Sequence, residues 1–383
     1  MATEIPVLRP LYDEQEEQAV TRVLRSGWTG SGPEVALFER EFAEYLELEP
    51  WQVITTSSCT AALHLALTNV PGLNAASEVL VPAITFVSTA AAVRAAGAKL
   101  IFGDVYPSDL TLRQEWLTSH SVWEAPANIT DRTKVIIPVH LAGAVASIEP
   151  DLLKLKGIEV IEDCAHAVGT KVAGKHVGTD PRSLFSCFSF NAVKNIGAGD
   201  GGAVITHDRW TANRLRKQRW CGIDKDTHSR LGGAGYTWQY VIDEVGMKCQ
   251  MSELNAAVAR VQLRKINSLN GRRKEVAAQY REALKDISWL TLPSPPEPGI
   301  EVSNHLFIAR TDRRDALVAH LKALNIVTGV HYKPVNLQPA YRGLNYPTPV
   351  AHAEWLRLVS LPMHAALTDQ DVARVIAAIQ SFA

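Results

Sequence analysis

Between residues 50 and 206, short and nearly continuous apolar runs alternate with segments whose apolar positions recur every three or four residues. Val53-Ile54-Thr55, Val79-Leu80-Val81, Leu100-Ile101-Phe102, Val135 to Val139 and Ile158 to Ile161 read as strands. Thr60 to Leu67, Thr89 to Ala96 and Pro150 to Lys156 read as helices between them. Strands apolar on both faces and separated by helices predict a largely parallel sheet covered on both sides. Leu184 to Phe190 and Ala203 to Thr206 add two further strands. Ahead of this unit, Glu14 to about Arg25 reads as a helix, capped by Asp13 and ended by Gly27. A second helix, Pro33 to about Leu46, places Val35, Phe38, Phe42 and Tyr45 on one face.

Beyond residue 250 the pattern predicts a helix from Ser252 to about Leu269, a turn at Gly271, and a second helix from Arg273 to Leu284. An exposed Pro-rich loop over 293–299, a strand at His305 to Ala309, a helix from Arg313 to Leu324 and an amphipathic helix from Asp369 to Phe382 follow. The chain has 383 residues, more than one core usually serves. Two units are expected: a large α/β domain over 1–249 and a smaller C-terminal α/β domain over 250–383.

The segment Ser189-Phe190-Asn191-Ala192-Val193-Lys194-Asn195-Ile196-Gly197-Ala198-Gly199-Asp200-Gly201-Gly202 holds a literal G-x-G-x-x-G at Gly197, Gly199 and Gly202. A dinucleotide fingerprint follows a strand and opens a helix. These glycines run instead into Ala203-Val204-Ile205-Thr206, which is strand-like. The dinucleotide reading fails, and the glycines read as a flexible connection that lets Lys194 project.

Composition narrows the partners. Lys plus Arg number 39 against 40 for Asp plus Glu, so the formal net charge of −1 supplies no field for nucleic acid or an anionic membrane. The densest basic run, Arg214-Leu215-Arg216-Lys217-Gln218-Arg219, reads as a solvated helix face. Five scattered cysteines contain no C-x-x-C, which disfavours a zinc site or a disulfide framework and fits reduced, cytoplasmic thiols. Residues 1–20 carry no apolar leader, and the apolar window Ala83 to Phe102 is broken by Arg94 and Lys99, so no membrane span is expected.

Taken singly, the candidate residues have ordinary readings: Asp163 as a loop cap, Lys194 as a surface lysine, Thr56-Ser57-Ser58-Cys59-Thr60 as a helix cap, and Phe86 as core packing. Each, however, follows a predicted strand or opens a predicted helix, where open α/β sheets bind ligands. A lysine amine, a carboxylate, a helix N-terminus for a phosphate and a flat aromatic plate together match one cofactor, pyridoxal 5′-phosphate (PLP). Lysine condenses with its aldehyde, and the carboxylate keeps the ring nitrogen protonated.

From these residues outward the chain resembles the DegT/StrS-type sugar aminotransferases, a branch of the fold-type I PLP enzymes, over nearly its whole length. The likeness is carried by Gly27-Trp28-Thr29-Gly30-Ser31-Gly32-Pro33, Ser58-Cys59-Thr60-Ala61-Ala62-Leu63-His64, Glu162-Asp163-Cys164-Ala165-His166-Ala167 and the Ser189 to Gly202 segment. Gly246-Met247-Lys248, Met251-Ser252-Glu253-Leu254-Asn255-Ala256-Ala257, Gln262-Leu263, His331-Tyr332 and Leu361-Pro362-Met363-His364 follow in family order.

The resemblance implies that Lys194 holds the cofactor and moves the proton, with Asp163 as its catalytic partner at the ring nitrogen. It implies His166 near the ring hydroxyl, Ser58, Cys59, Thr60 and Ser189 at the phosphate, and Phe86 on the ring. Lys248 would reach the phosphate from a neighbouring subunit, so a homodimer with shared active sites is implied. Trp28, His331 and Tyr332 fall to the substrate. Three departures stand out: Asp200 replaces the family's usual Glu, Cys59 stands where Gly is common, and Ala365 stands where Pro is common. Lys194 argues against the family subset that dehydrates sugars and carries His there. The expected reaction is transfer of an amino group from L-glutamate to a nucleotide-linked keto-deoxysugar. A cyclic non-nucleotide ketone, of keto-inositol or aminoshikimate type, and a non-catalytic PLP-binding regulator are the alternatives.

Overall fold

The computed structural model describes residues 3–113, 129–224, 239–344 and 346–382. Its centre is a seven-stranded sheet built from β1 (Val53–Thr56), β2 (Glu78–Pro82), β3 (Lys99–Gly103), β4 (Thr133–Ile136), β5 (Glu159–Asp163), β8 (Phe185–Ser189) and β9 (Gly202–Ile205). The spatial order is β1-β9-β8-β5-β4-β2-β3, and only β9 runs against the others. Parallel strands need covered crossovers, and α3 (Cys59–Leu67), α4 (Val87–Ala95) and α5 (Pro150–Leu155) supply them. Helices α1 (Glu14–Ser26) and α2 (Pro33–Tyr45) precede the sheet, and α6 (Arg209–Gln218) follows it. The largely parallel α/β expectation holds. Short β6 (Lys171–Val172) and β7 (Lys175–His176) form a side hairpin, joined at β6 by β10 (Ile300–Glu301), that the apolar pattern did not signal.

The predicted ends of α1 are met: Asp13 and Glu16 make a reciprocal cap, and Gly27 closes the helix at φ 70°. Other boundaries differ. The strand expected over 135–139 ends at Ile136; Val139 keeps only a single bridge to Asp163 as the chain turns toward the site. The strand expected over 305–309 begins at Phe307 as β11 (Phe307–Arg310), because Asn304 adopts a left-handed φ of 48° just before it. The turn expected at Gly271 is absent. One helix, α7 (Glu253–Leu284), runs through it for 32 residues. Gly271 weakens a helix only locally, and α7 is held on both sides of it by tertiary packing.

That packing differs along α7. Its first half joins the core of the large sheet, where Ala256, Ala259, Leu263 and Ile266 meet Phe38 and Phe42 of α2 and Phe188 and Phe190 around the end of β8. Its second half belongs to another core, where Val276, Ala277, Tyr280 and Leu284 pack with β11, β12 (Leu358–Leu361) and α10 (Asp369–Gln380). Helices α8 (Arg314–Ala323) and α9 (Pro349–Glu354) lie between those strands in sequence. Ile5 joins this second core and bridges to Ile326, so the first residues of the chain pack with the last hundred.

The basic run on α6 is not the solvated face expected. Arg219 ion-pairs with Glu39 of α2 and donates to Thr55 O at 2.8 Å, while Arg216 donates to Trp51 O and Val53 O at 2.9 Å each. Carbonyls at the entry to β1 and a buried carboxylate turn two of the four basic residues inward. Among the described residues no helix is long and apolar enough to cross a membrane, and all five cysteines are unpaired.

Candidate active site

The carboxyl ends of β1, β2, β5 and β8 open on one edge of the sheet, and because β9 is reversed it starts at that edge too. Segments leaving these ends therefore converge. They line a cavity of about 480 Å³ containing Ser58, Cys59, Thr60, Phe86, Asp163, His166, Ser189, Lys194, His331 and Tyr332. Ten of the twelve sequence-predicted site residues are thus brought together. Trp28 and Lys248 are not. They share a different cavity of about 440 Å³ with Trp220, where the Lys248 ammonium lies 5.4 Å from the Trp220 ring.

Asp163 is the last residue of β5, and 4 % exposed. Its Oδ1 accepts from Ala165 N at 3.1 Å and its Oδ2 from the Thr89 hydroxyl at 2.8 Å. Burial pushes its carboxyl above the usual carboxylate range, more than Ala165 N–H, Thr89 and Lys194 pull it down. Burial likewise lowers the Lys194 amine to about 8, although Asp163 and Cys59 act in the other direction. Among the described residues the Lys194 amine has no hydrogen-bond partner. A buried carboxylate without a contacting cation, facing an easily deprotonated amine, suits a ligand with a protonatable ring nitrogen and an aldehyde.

The other parts of such a ligand are also provided for. Ser58 caps α3 by accepting from Ala61 N at 3.2 Å, which leaves the Cys59 and Thr60 N–H groups at the helix start unpaired among the described residues. Gly202 keeps this turn open: a Cβ there would sit 2.5 Å from Cys59 N and from Ser58 C. The glycines after Lys194 are therefore close-packed, and not the flexible connection expected. Gly201 has a φ of 147°, and a Cβ there would lie 3.0 Å from Met251 Cε. Phe86 caps α4 with its ring 53 % exposed and 5.9 Å from the Tyr332 ring, a plate open to the cavity.

His166 is buried and its proton position is set by a backbone contact. Ala142 N donates to Nδ1 at 3.2 Å, so the ring proton sits on Nε2. Burial, then the positive charge of Lys194, hold the His166 pKa well below its ordinary value, so the ring is a neutral donor. His331 is lowered to about 4 by burial and Lys194, with its Nδ1 2.7 Å from the Ser360 hydroxyl. Burial and the Asp163 charge raise the Tyr332 hydroxyl.

Sequence reasoning missed three contributors. Thr85 lines the cavity, Thr89 holds Asp163, and the His305 ring lies tilted against His166 with ring centroids 4.2 Å apart. Thr89 lies three positions beyond Phe86 on the first turn of α4, a register that was readable, but nothing in its type marks it. Asp200 lines the cavity and accepts from Gly201 N at 2.9 Å.

On the opposite face of β5, the donor atoms of His140, Glu162 and Cys164 lie within 4.8 Å of one another. They do not suit a metal. Ala146 N donates to His140 Nδ1 at 3.1 Å, so Nε2 carries the proton and gives it to Glu162 at 3.0 Å.

The model of the DegT/DnrJ/EryC1/StrS aminotransferase family matches residues 10–380. S. venezuelae DesV is 33% identical, with 100% of this chain and 99% of that one covered and a TM-score of 0.86. The aminotransferase TlmJ from Streptoalloteichus hindustanus is 32% identical over 98% of both chains, also with a TM-score of 0.86. The sugar aminotransferase CalS13 from Micromonospora echinospora is 26% identical over 99% of this chain and 100% of its own, with a TM-score of 0.85. A Lys194–Asp163 cavity at the carboxyl ends of a fold-type I sheet, in a chain matched almost end to end, leaves one assignment: this chain belongs to the DegT/DnrJ/EryC1/StrS family as a PLP-dependent sugar aminotransferase.

Proposed function

We propose that the chain transfers the amino group of L-glutamate to a nucleotide-linked keto-deoxysugar, as a cytoplasmic homodimer whose active sites are each completed by the partner. The carrying observation is the cavity in which a buried, high-pKa Asp163 and a low-pKa Lys194 face the open N-terminus of α3. Bound there, the cofactor supplies an aldehyde carbon and an electron-accepting ring. Lys194 Nζ would hold the cofactor and, once released, move a proton, and a pKa near neutrality suits both tasks. Asp163 would hold the proton at the ring nitrogen, His166 Nε2–H would donate to the ring hydroxyl, and Phe86 would cover one face. Cys59 and Thr60 N–H, with Ser58 and Ser189, would hold the phosphate.

Support for the dimer lies outside this cavity. Tyr240, Val241, Ile242, Val245 and Met247 expose a run of apolar surface immediately before Lys248. Such a run suits an interface that carries Lys248 and Trp28 toward a second copy.

The test is a glutamate-dependent product screen over nucleotide-linked keto sugars and keto-inositols, read by mass. One nucleotide sugar should shift from ketone to amine mass, and Lys194→Ala should lose that product together with the borohydride-reducible cofactor link. Amination confined to a keto-inositol would overturn the nucleotide-sugar reading, and normal turnover by Lys194→Ala would overturn the assignment of Lys194.

A further inference from the structure

Thr89 is fully buried and does not line the cavity, yet it stands between the two groups assigned to the cofactor ring. Its hydroxyl lies 2.8 Å from Asp163 Oδ2, 3.2 Å from the Phe86 carbonyl oxygen and 3.0 Å from the Thr85 hydroxyl. A hydroxyl has one hydrogen to give, and the shorter, charge-assisted contact to the carboxylate takes it. Thr85, which lines the cavity, then donates to Thr89 Oγ1. The result is a directed chain, Thr85 to Thr89 to Asp163, on the first turn of the helix whose cap residue is Phe86.

We propose that Thr89 is a positioning residue: its hydroxyl fixes the Asp163 carboxylate relative to the Phe86 plate and keeps it ionised against a protonated ring nitrogen. The inference rests on Asp163 facing that nitrogen. Between a carboxylate and a pyridine, a donor on the far carboxylate oxygen favours the pair in which the nitrogen keeps the proton. Without the donor the proton shifts toward the carboxyl, and the ring becomes a weaker electron acceptor. Thr85 contributes indirectly, by orienting the Thr89 hydroxyl.

The experiment compares Thr89→Val, Thr89→Ser, Thr85→Val and Asp163→Asn as holoenzymes and as apo-proteins. Three quantities are read: the ¹⁵N shift of ¹⁵N-labelled PLP, the dissociation constant of PLP from apo-protein, and kcat with KM. Thr89→Val preserves shape, removes the donor, and should move the ¹⁵N resonance toward the unprotonated position. It should lower kcat on the order of 10- to 100-fold, as expected for loss of a hydrogen bond to a charge. KM for the amino donor should change less than about 3-fold, because the donor contacts other groups. Thr89→Ser should restore both, and Thr85→Val should give the same shift in smaller measure. An unchanged ¹⁵N position and kcat in Thr89→Val, or Thr89→Ser failing as badly as Thr89→Val, would overturn the proposal. Asp163→Asn separates the two levels. If it leaves the ¹⁵N position and PLP affinity intact, the placement of Asp163 is wrong. If it collapses both while Thr89→Val does not, only the role of Thr89 is wrong.

Discussion

Two of the buried carboxylates in the large α/β unit, Glu39 and Asp163, have opposite surroundings. Glu39 on α2 accepts from Thr55 N at 2.9 Å and from the Thr55 hydroxyl at 2.8 Å, and ion-pairs with Arg219, with Arg216 at 3.9 Å. Burial alone would raise its carboxyl, but Arg219, Arg216 and the Thr55 N–H hold it below the usual range. Among the described residues Asp163 has two neutral donors and no guanidinium, and burial leaves its carboxyl above that range. The contrast separates a charge the fold completes from one it leaves for a ligand. A buried ion costs several kcal/mol unless it is paired. Glu39 meets that requirement within the chain, and in the proposed site Asp163 would meet it with the cofactor.

The two sites should therefore respond in opposite ways to neutralisation. Asp163→Asn carries the larger effect: kcat should fall about 10²- to 10³-fold, the range for removing a fixed charge at a reacting centre. The apo-protein should become more stable, not less. A carboxyl whose folded pKa is raised loses its contribution as pH rises through that value. The thermal midpoint of apo Asp163→Asn should therefore exceed that of the wild type by a margin that grows as pH rises out of the carboxylate range. A variant less stable than wild type at neutral pH would break the comparison.

Glu39→Gln should do the reverse. It leaves Arg219 buried without its partner, a change worth about 3 kcal/mol of stability, while kcat per folded molecule stays within about 2-fold. A lowered carboxyl contributes stability that is present above its unfolded pKa and lost as pH falls. The deficit of Glu39→Gln should thus be greatest near neutrality and shrink in acid, measured by denaturant unfolding across that range. A loss of kcat matching that of Asp163→Asn would show that the Glu39 corner serves the reaction after all.

The same contrast marks what was readable from the chain. Asp163 and Lys194 could be singled out because each follows a predicted strand, and a carboxylate and a lysine amine are two of the parts that PLP needs. Glu39 could not. It sits one residue from Phe38 on a helix where only the apolar face has a pattern, and its partners arrive from α6, 177 and 180 positions away in sequence, inside a basic run that looks solvated. Gly271 misled for a related reason. Local propensity favours a break there, whereas two separate cores grip α7 on either side. The glycines after Lys194 marked the right segment for the wrong cause. For Gly202 the requirement is the close approach of β9 to the Ser58–Cys59 turn, a contact between segments far apart in the chain. Trp28 and Lys248 lie outside the cavity within one chain; the resemblance had tied Lys248 to it through a second copy and Trp28 to the substrate directly.

The smallest of the expected effects concerns Lys194, and it sharpens the Asp163 side of the comparison. With its amine lowered to about 8 by burial, against the Asp163 charge, Lys194 is neutral in about one molecule in ten at pH 7. An amine at the ordinary value of 10.5 would be neutral in fewer than about one in a thousand. The rate at which apo-protein captures PLP should therefore climb about tenfold from pH 6 to 7 and flatten above pH 8. Normalising to capture by a simple alkylamine at the same pH removes the cofactor's own titration, and stopped-flow absorbance reads the rate. Asp163 opposes the lowering, so in Asp163→Asn the break should move to lower pH. An equal break in both proteins would mean that the two side chains do not feel each other across the cavity. A profile still rising steeply to pH 10 would mean that the amine is solvated, and the argument from burial would fall with it.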